Sequence, residues 1–174
     1  MFNRVNIQKT VMKKHSIYIL IVLVLALPSM TSSGQDVEYI KVPDLEKILN
    51  NPDDRLYVVN FWATWCGPCV KEFPVFEKVS KEYIGGKVKF IMISLDFPSQ
   101  IEKQLIPFLK KNNASLDVAV MMDVDYNSWI DKVDDSWQGD IPATLVFNNA
   151  KKMRLFHSGE VDGDGLRKMI DSSL

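Results

Sequence analysis

The chain's two cysteines, Cys66 and Cys69, form a C-x-x-C pair at the junction of two segments of opposite character. Before them, Leu56 to Ala63 is a short apolar and aromatic run, the pattern of a strand buried on both faces of a sheet. After them, Val70 to Tyr83 mixes apolar positions with Lys and Glu, as an amphipathic helix does. The thiols are thereby placed where a buried strand turns into a helix. Unpaired N–H groups and the macrodipole at a helix N-terminus favour negative charge, so a thiolate is stabilised there. The same geometry orders the sulfurs by role. Cys66, at the exposed turn, is expected to be the low-pKa nucleophile; Cys69, nearly a helical turn further in, is expected to resolve the mixed disulfide. Gly67 is expected to permit a tight turn, and Pro68 to occupy the first helical turn, where its missing N–H costs nothing.

Two other uses of the pair fit less well. A structural disulfide between residues so near in sequence closes too small a loop to add much stability. A zinc site needs further ligands, and the chain offers only His15 and His157. His15 lies in a segment read below as a targeting sequence. Redox chemistry is what the pair implies, with no metal ligand set and no bound cofactor.

Residues 60–74 read N-F-W-A-T-W-C-G-P-C-V-K-E-F-P. The W-C-G-P-C core after a hydrophobic strand resembles the active site of the thioredoxin superfamily. The longer run is similar to its extracytoplasmic TlpA/ResA-like branch: Asn60 stands where ordinary thioredoxins carry a buried Asp, and Glu72, Phe73 and Pro74 match the E-F-P that follows the motif there. Ile141-Pro142-Ala143-Thr144 resembles the cis-proline segment that faces the cysteines in this superfamily. The resemblance runs from about Val37 to the C-terminus. It implies an α/β thioredoxin-like fold: a mixed central sheet with helices on both faces and a TlpA-type inserted strand and helix. It further implies a thiol–disulfide oxidoreductase that reduces protein disulfides outside the cytoplasm, in cytochrome c maturation or general thiol redox homeostasis. Its partners would be protein disulfide substrates and an upstream thiol electron donor, and it would act as a monomer. Glu72 becomes a partly buried carboxylate that tunes or relays protons for the cysteines, and Trp65 shields the nucleophile at the surface. Trp62 reads as core, and His157 as a hydrogen-bonded structural histidine. Two rival readings of the cysteines are a copper-handling thiol protein and a peroxiredoxin-like peroxidase. For the first, the expected His ligand has no clear counterpart. For the second, Thr64 is two residues before Cys66 instead of three.

A cis Ile141–Pro142 bond is expected from context, against the ordinary preference for trans. The segment begins a strand just after a polar loop, where proline is accommodated. A cis bond there would leave the Ile141 backbone free to pair with an incoming peptide as an added strand.

The chain has 174 residues and a formal net charge of −1, enough for one domain with a proper core. No long basic stripe points to nucleic acid. Residues 1–34 hold Arg4, Lys9, Lys13 and Lys14 and no acid, which leaves the remainder with 17 basic and 22 acidic residues. Lys13-Lys14, the apolar Ile17 to Leu27 and the small, polar Pro28 to Gly34 have the layout of a secretory signal. Residues 1–34 are therefore expected to be removed, near Ser33 or Gly34, with Met12 a better start than Met1. The thioredoxin-like domain is expected to span 35–174. Export would place it in the periplasm; the alternative is an uncleaved anchor in the inner membrane facing the periplasm. No cysteine near the end of the apolar run offers a lipid attachment point.

In chain order, the pattern predicts an edge strand over Val37–Val42, a short helix Leu45–Leu49, then the central strand, the motif and a long helix containing Pro74. A second buried strand, Val88–Leu95, should run parallel to the first as a βαβ unit. A helical stretch to about Asn112, bent or restarted at Pro107, leads to a strand Val118–Met122 and a short helix Tyr126–Val133, the candidate insertion. Asp134–Asp140 reads as a polar loop carrying Trp137. Strands over Thr144–Phe147 and Lys152–His157 joined at Asn148-Asn149, and a helix Leu166–Ile170, complete the chain.

Overall fold

Seven consecutive residues of the central strand, Leu56–Trp62 (β2), are buried, as its unbroken apolar run requires. The computed structural model describes residues 37–174; the predicted signal segment, 1–34, lies outside them. Around β2 the sheet has the order β1-β4-β3-β2-β5-β6. Its members are β1 (Glu38–Ile40), β3 (Val88–Ser94), β4 (Asp117–Met121), β5 (Ala143–Asn148) and β6 (Met153–Ser158). β1, β4, β3 and β2 run parallel, β5 is antiparallel to β2, and β6 is antiparallel to β5, giving a mixed sheet. The βαβ expectation for β2 and β3 holds, with Leu56 opposite Val88 and Trp62 opposite Ser94. The strand expected to be inserted, β4, lies between the edge strand β1 and β3.

Alternation along β2 splits the core into two layers. Val58 and Trp62 face one side, packed by Phe73, Phe76 and Val79 of the long helix α2 (Gly67–Ser80) and by Leu166 and Ile170 of the last helix, Gly163–Asp171. Tyr57, Val59 and Phe61 face the other, packed by Leu45 and Leu49 of α1 (Val42–Leu49) and by Trp129 and Val133. Helices cover both faces, as a buried parallel core demands.

Boundaries differ from the sequence reading for local reasons. α2 begins at Gly67 because Cys66 acts as its N-cap, and the last helix begins at Gly163 because the Asp162 carboxylate accepts the Gly165 N–H (2.8 Å). The stretch before Asn112 is a turn of helix at Pro98–Gln100, a π-helical segment Ile101–Leu105 and an α-helix Ile106–Lys111. The Ile106 N–H reaches back five residues to Ile101, one position before Pro107, which has no N–H to give. The hairpin does not turn at Asn148-Asn149. Asn148 stays in β5 opposite Met153, and the turn is completed by Lys152 in the left-handed region (φ 53°). The Asn149 amide is held instead by the carbonyls of Leu49 and Asn51.

The Asp134–Asp140 loop is polar in sequence but anchored by its one aromatic. Trp137 is buried, 4.7 Å from the Phe61 ring and 5.7 Å from that of Trp129. Its indole N–H donates to the Asp140 carbonyl (2.8 Å), fixing the residue that precedes Ile141. Trp137→Ala is expected to cost about 3–5 kcal/mol in urea unfolding. Trp137→Phe keeps most of the packing and should lose only about 1–2 kcal/mol. Equal losses would mean that the ring does not anchor the loop.

Candidate functional site

β2 ends at Trp62, and the chain reaches its first cysteine four residues later. Two contacts hold this connection. Trp62 O accepts the Leu95 N–H (2.7 Å), tying the ends of β2 and β3 together. One residue further, buried Asp96 accepts from the Thr64 backbone N–H (3.1 and 3.2 Å to its two oxygens) and from the Thr64 hydroxyl, while Ser94 Oγ donates to the same carboxylate (2.8 Å). Asp96 thus clamps the loop from the neighbouring strand.

The Cys66–Cys69 disulfide is formed. Cys66 is 7% exposed and Cys69 1%, so in the oxidised pair both are largely buried and Cys66 is the more accessible. The Cys69 N–H donates to Cys66 Sγ (3.3 Å), and the Val70 N–H donates to Cys66 O (3.0 Å). Cys66 is therefore the helix cap through its sulfur, the position where backbone donors would favour a thiolate. Pro68 lies in the first turn, where no N–H is needed. Gly67 is not required for a tight turn: it is a helical residue without positive φ, and an added Cβ would meet nothing within 4 Å. Its lack of a side chain leaves open space beside the pair.

The second wall of the site is the segment before β5. The Ile141–Pro142 peptide is cis, as its context favoured. The Ile141 carbonyl oxygen lies 3.7 Å from Cys66 Sγ. The oxidised sulfur has no hydrogen to donate; a reduced Cys66 thiol could donate to this oxygen. The Ser158 hydroxyl donates to Asp140, and the Gly159 N–H donates to Pro142 O (2.8 Å), so β6 holds the segment from outside. Trp65 is 49% exposed and stacks on half-exposed Phe97, ring centres 6.5 Å apart. Trp62 is core, against Phe73 (4.8 Å) and Phe108 (5.4 Å).

Glu72, expected to be partly buried, is 2% exposed. Its carboxylate accepts from Asn60 Nδ2 (2.8 Å) and from the Val161 N–H (2.9 Å). Burial holds the carboxyl above the usual carboxylate range, against the opposing pull of these two donors. Asn60 Nδ2 also donates to Thr144 Oγ1 (3.1 Å), while its Oδ1 is buried without a partner. Rotating the Asn60 amide by half a turn would offer Oδ1 to a protonated Glu72, so this amide suits either protonation state. Among the described residues, no group of three or more His, Cys, Asp or Glu could hold a metal ion. None of the described helices is long and apolar enough to cross a membrane.

Sequence reasoning brought together Cys66, Cys69, Glu72, Ile141 and Pro142. It missed Asp96 and Val161, which act on the site from other strands and loops, and it placed Thr144 in the proline segment without its bond to Asn60. Only Asp96 left a signal, as an acid directly after a buried strand.

The burial of Glu72 carries a stability consequence. Its folded form holds a proton more tightly than the unfolded chain, whose ordinary value is 4.5, so its contribution is present below that pH and lost as pH rises through the raised folded value. Oxidised wild type should lose thermal stability relative to Glu72→Gln as pH rises from about 4.5 to about 7.5. A wild type that gains on the variant over this range would show that the two donors outweigh burial.

Comparison with known proteins agrees with this geometry. A family model described as Thioredoxin matches residues 36–104. The thioredoxin-like protein YneN of Bacillus subtilis is 30% identical over 126 residues, covering 71% of this chain and 68% of that protein. A crystal structure of a thioredoxin-related protein from Neisseria meningitidis serogroup B aligns with a TM-score of 0.61 at 28% identity, covering 71% of this chain and 88% of that one. A DsbF homologue from Corynebacterium diphtheriae aligns with a TM-score of 0.55 at 26% identity, covering 71% and 75%. The chain spans 50% and 56% of the length of the first two curated thioredoxins it matches.

Proposed function

Since this chain belongs to the thioredoxin family, we propose that it is a thiol–disulfide oxidoreductase that reduces protein disulfides through Cys66 and Cys69. The observation that carries this is the capping contact: a sulfur at the start of α2 that accepts a backbone N–H and is the more exposed of a bonded pair. In the reduced enzyme the Cys66 thiolate attacks one sulfur of a substrate disulfide. The substrate S–S bond breaks, one substrate thiolate leaves, and Cys66 is joined to the other sulfur as a mixed disulfide. Cys69, as its thiolate, then attacks Cys66 Sγ, forming the bond seen here and releasing the second substrate thiolate. Two electrons pass to the substrate, and a dithiol donor restores the pair. The residues between the cysteines, Gly67-Pro68, are those of reducing thioredoxins, which favours this direction.

Glu72 stands three residues after Cys69 on α2, and in its ionised form it takes the proton that Cys69 must lose before it resolves. Its burial suits that task, because a raised carboxyl is a better proton acceptor near neutrality than an ordinary one. Trp65 and Phe97 provide an apolar ledge beside Cys66, and Ile141 offers backbone to an extended substrate. The substrate is a cystine-bearing polypeptide outside the cytoplasm. Export rests on Lys13-Lys14 and the apolar Ile17 to Leu27.

Two measurements check this reading. Reduced Cys69→Ser should accumulate a mixed disulfide with a disulfide-bonded test protein such as insulin, visible on a non-reducing gel. Cys66→Ser should not, and its exchange rate should fall to the uncatalysed background. Trapping by Cys66→Ser alone would reverse the roles. Mass spectrometry of the protein from its native envelope should find an N-terminus near Gly34 or Gln35; an intact segment 12–34 would contradict cleavage.

A further inference from the structure

One peptide group, Glu160–Val161, touches both the buried carboxylate and a half-buried imidazole. Its N–H donates to Glu72 Oε2 (2.9 Å), and its C=O lies 3.3 Å from His157 Nε2. A carbonyl only accepts, so Nε2 carries the hydrogen and His157 is the donor. The two hydrogen bonds therefore run head to tail through one amide: ring N–H to C=O, then N–H to carboxylate. Donation to a peptide's oxygen polarises the amide and makes its N–H a stronger donor.

The sheet places His157 for this contact. Asn60 of β2 is opposite Thr144 of β5, and Thr144 is opposite His157 of β6. Residues directly opposite share a face, so the imidazole lies on the α2 side of the sheet, in one row with the Asn60 and Thr144 groups beneath Glu72. The charged neighbours that act on Glu72 are few. His157 favours the carboxylate and Glu160 opposes it, while Glu160 is itself paired with Lys71 of α2 (2.6 Å). β2 and β5 present neutral partners, Asn60 and Thr144.

We propose that His157 is a positioning residue for the redox site: through the Glu160–Val161 peptide it sets how tightly Glu72 holds its proton, and so the pH at which the cysteine pair exchanges. This rests on the role given to Glu72 above. The link ties the site's proton acceptor to a half-buried imidazole on β6, two strands away from β2, which leads to the cysteines.

The test follows the Glu72 side-chain carboxyl by carbon NMR against pH in oxidised protein, with Glu72→Gln identifying its signal. His157→Phe, which cannot donate, should raise the Glu72 midpoint by about half a pH unit. His157→Gln, which keeps an amide donor, should raise it by less than half as much. A midpoint unmoved by His157→Phe, or moved equally by both variants, overturns the proposal. Wild type alone gives a second check that needs no altered fold. Its ring nitrogen shifts should show the hydrogen on His157 Nε2, and its Val161 amide proton should shift with the Glu72 carboxyl; an Nε2 without hydrogen, or a Val161 amide blind to Glu72, also overturns it. The role of Glu72 itself is tested separately by the pH profile of insulin reduction. If Glu72→Gln leaves that profile unchanged, that role fails, whatever the NMR midpoints show.

Discussion

A sulfur atom used as a helix cap is the contact on which the site depends. Cys66 Sγ takes the backbone N–H of Cys69 at the start of α2, where an oxygen side chain would ordinarily sit. The position is useful only if strand and helix are fixed relative to each other. β2 provides this by being buried along its whole length between β3 and β5. Trp62 and Phe61, adjacent in sequence, anchor opposite layers of the core, so the strand can neither slide nor roll. Asp96 then fixes the short connection by taking the Thr64 N–H and hydroxyl from the end of the next strand. The chemistry is carried by two sulfurs, but their placement is the work of three adjacent strands and one helix.

A buried carboxylate is the second constraint. Glu72 trades the solvation of its charge for two donors, Asn60 and Val161, and burial still prevails over them. Such a group is poorly suited to stability and well suited to taking a proton. Asn60 has a side chain that can present either a donor or an acceptor to Glu72, and its unpartnered Oδ1 is consistent with service to both states. An apolar residue at position 60 would stabilise neither the ionised nor the protonated carboxyl.

Much of this was legible in the sequence because it depends on near neighbours. The apolar run 56–63 gives β2, the amphipathic run after it gives α2, and the cysteine spacing puts both thiols at the helix start. The βαβ unit follows from the same periodicity, while the fold class was readable from the resemblance of residues 60–74, and Ile141–Pro142 from its resemblance and its place after a polar loop. What escaped depends on contacts between distant segments. Trp137 sits in a loop of Asp, Ser, Gln and Gly, and nothing local shows that its ring fills the space beside Phe61. The π-helical segment Ile101–Leu105 reflects a mismatch between packing and Pro107, so sequence indicates a bend there but not its form. Gly67 was given a conformational role that the backbone does not ask of it. Val161 acts through its N–H, which every residue but proline has, so its side chain carries no trace of the bond to Glu72.

The most direct measurement is the pH dependence of iodoacetamide alkylation of the reduced protein, with the modified cysteine located by mass spectrometry. The account predicts that Cys66 is modified first, with a midpoint clearly below the value of about 8.5 for a free cysteine. Modification of Cys69 first, or a Cys66 midpoint at or above that of a free cysteine, would contradict it.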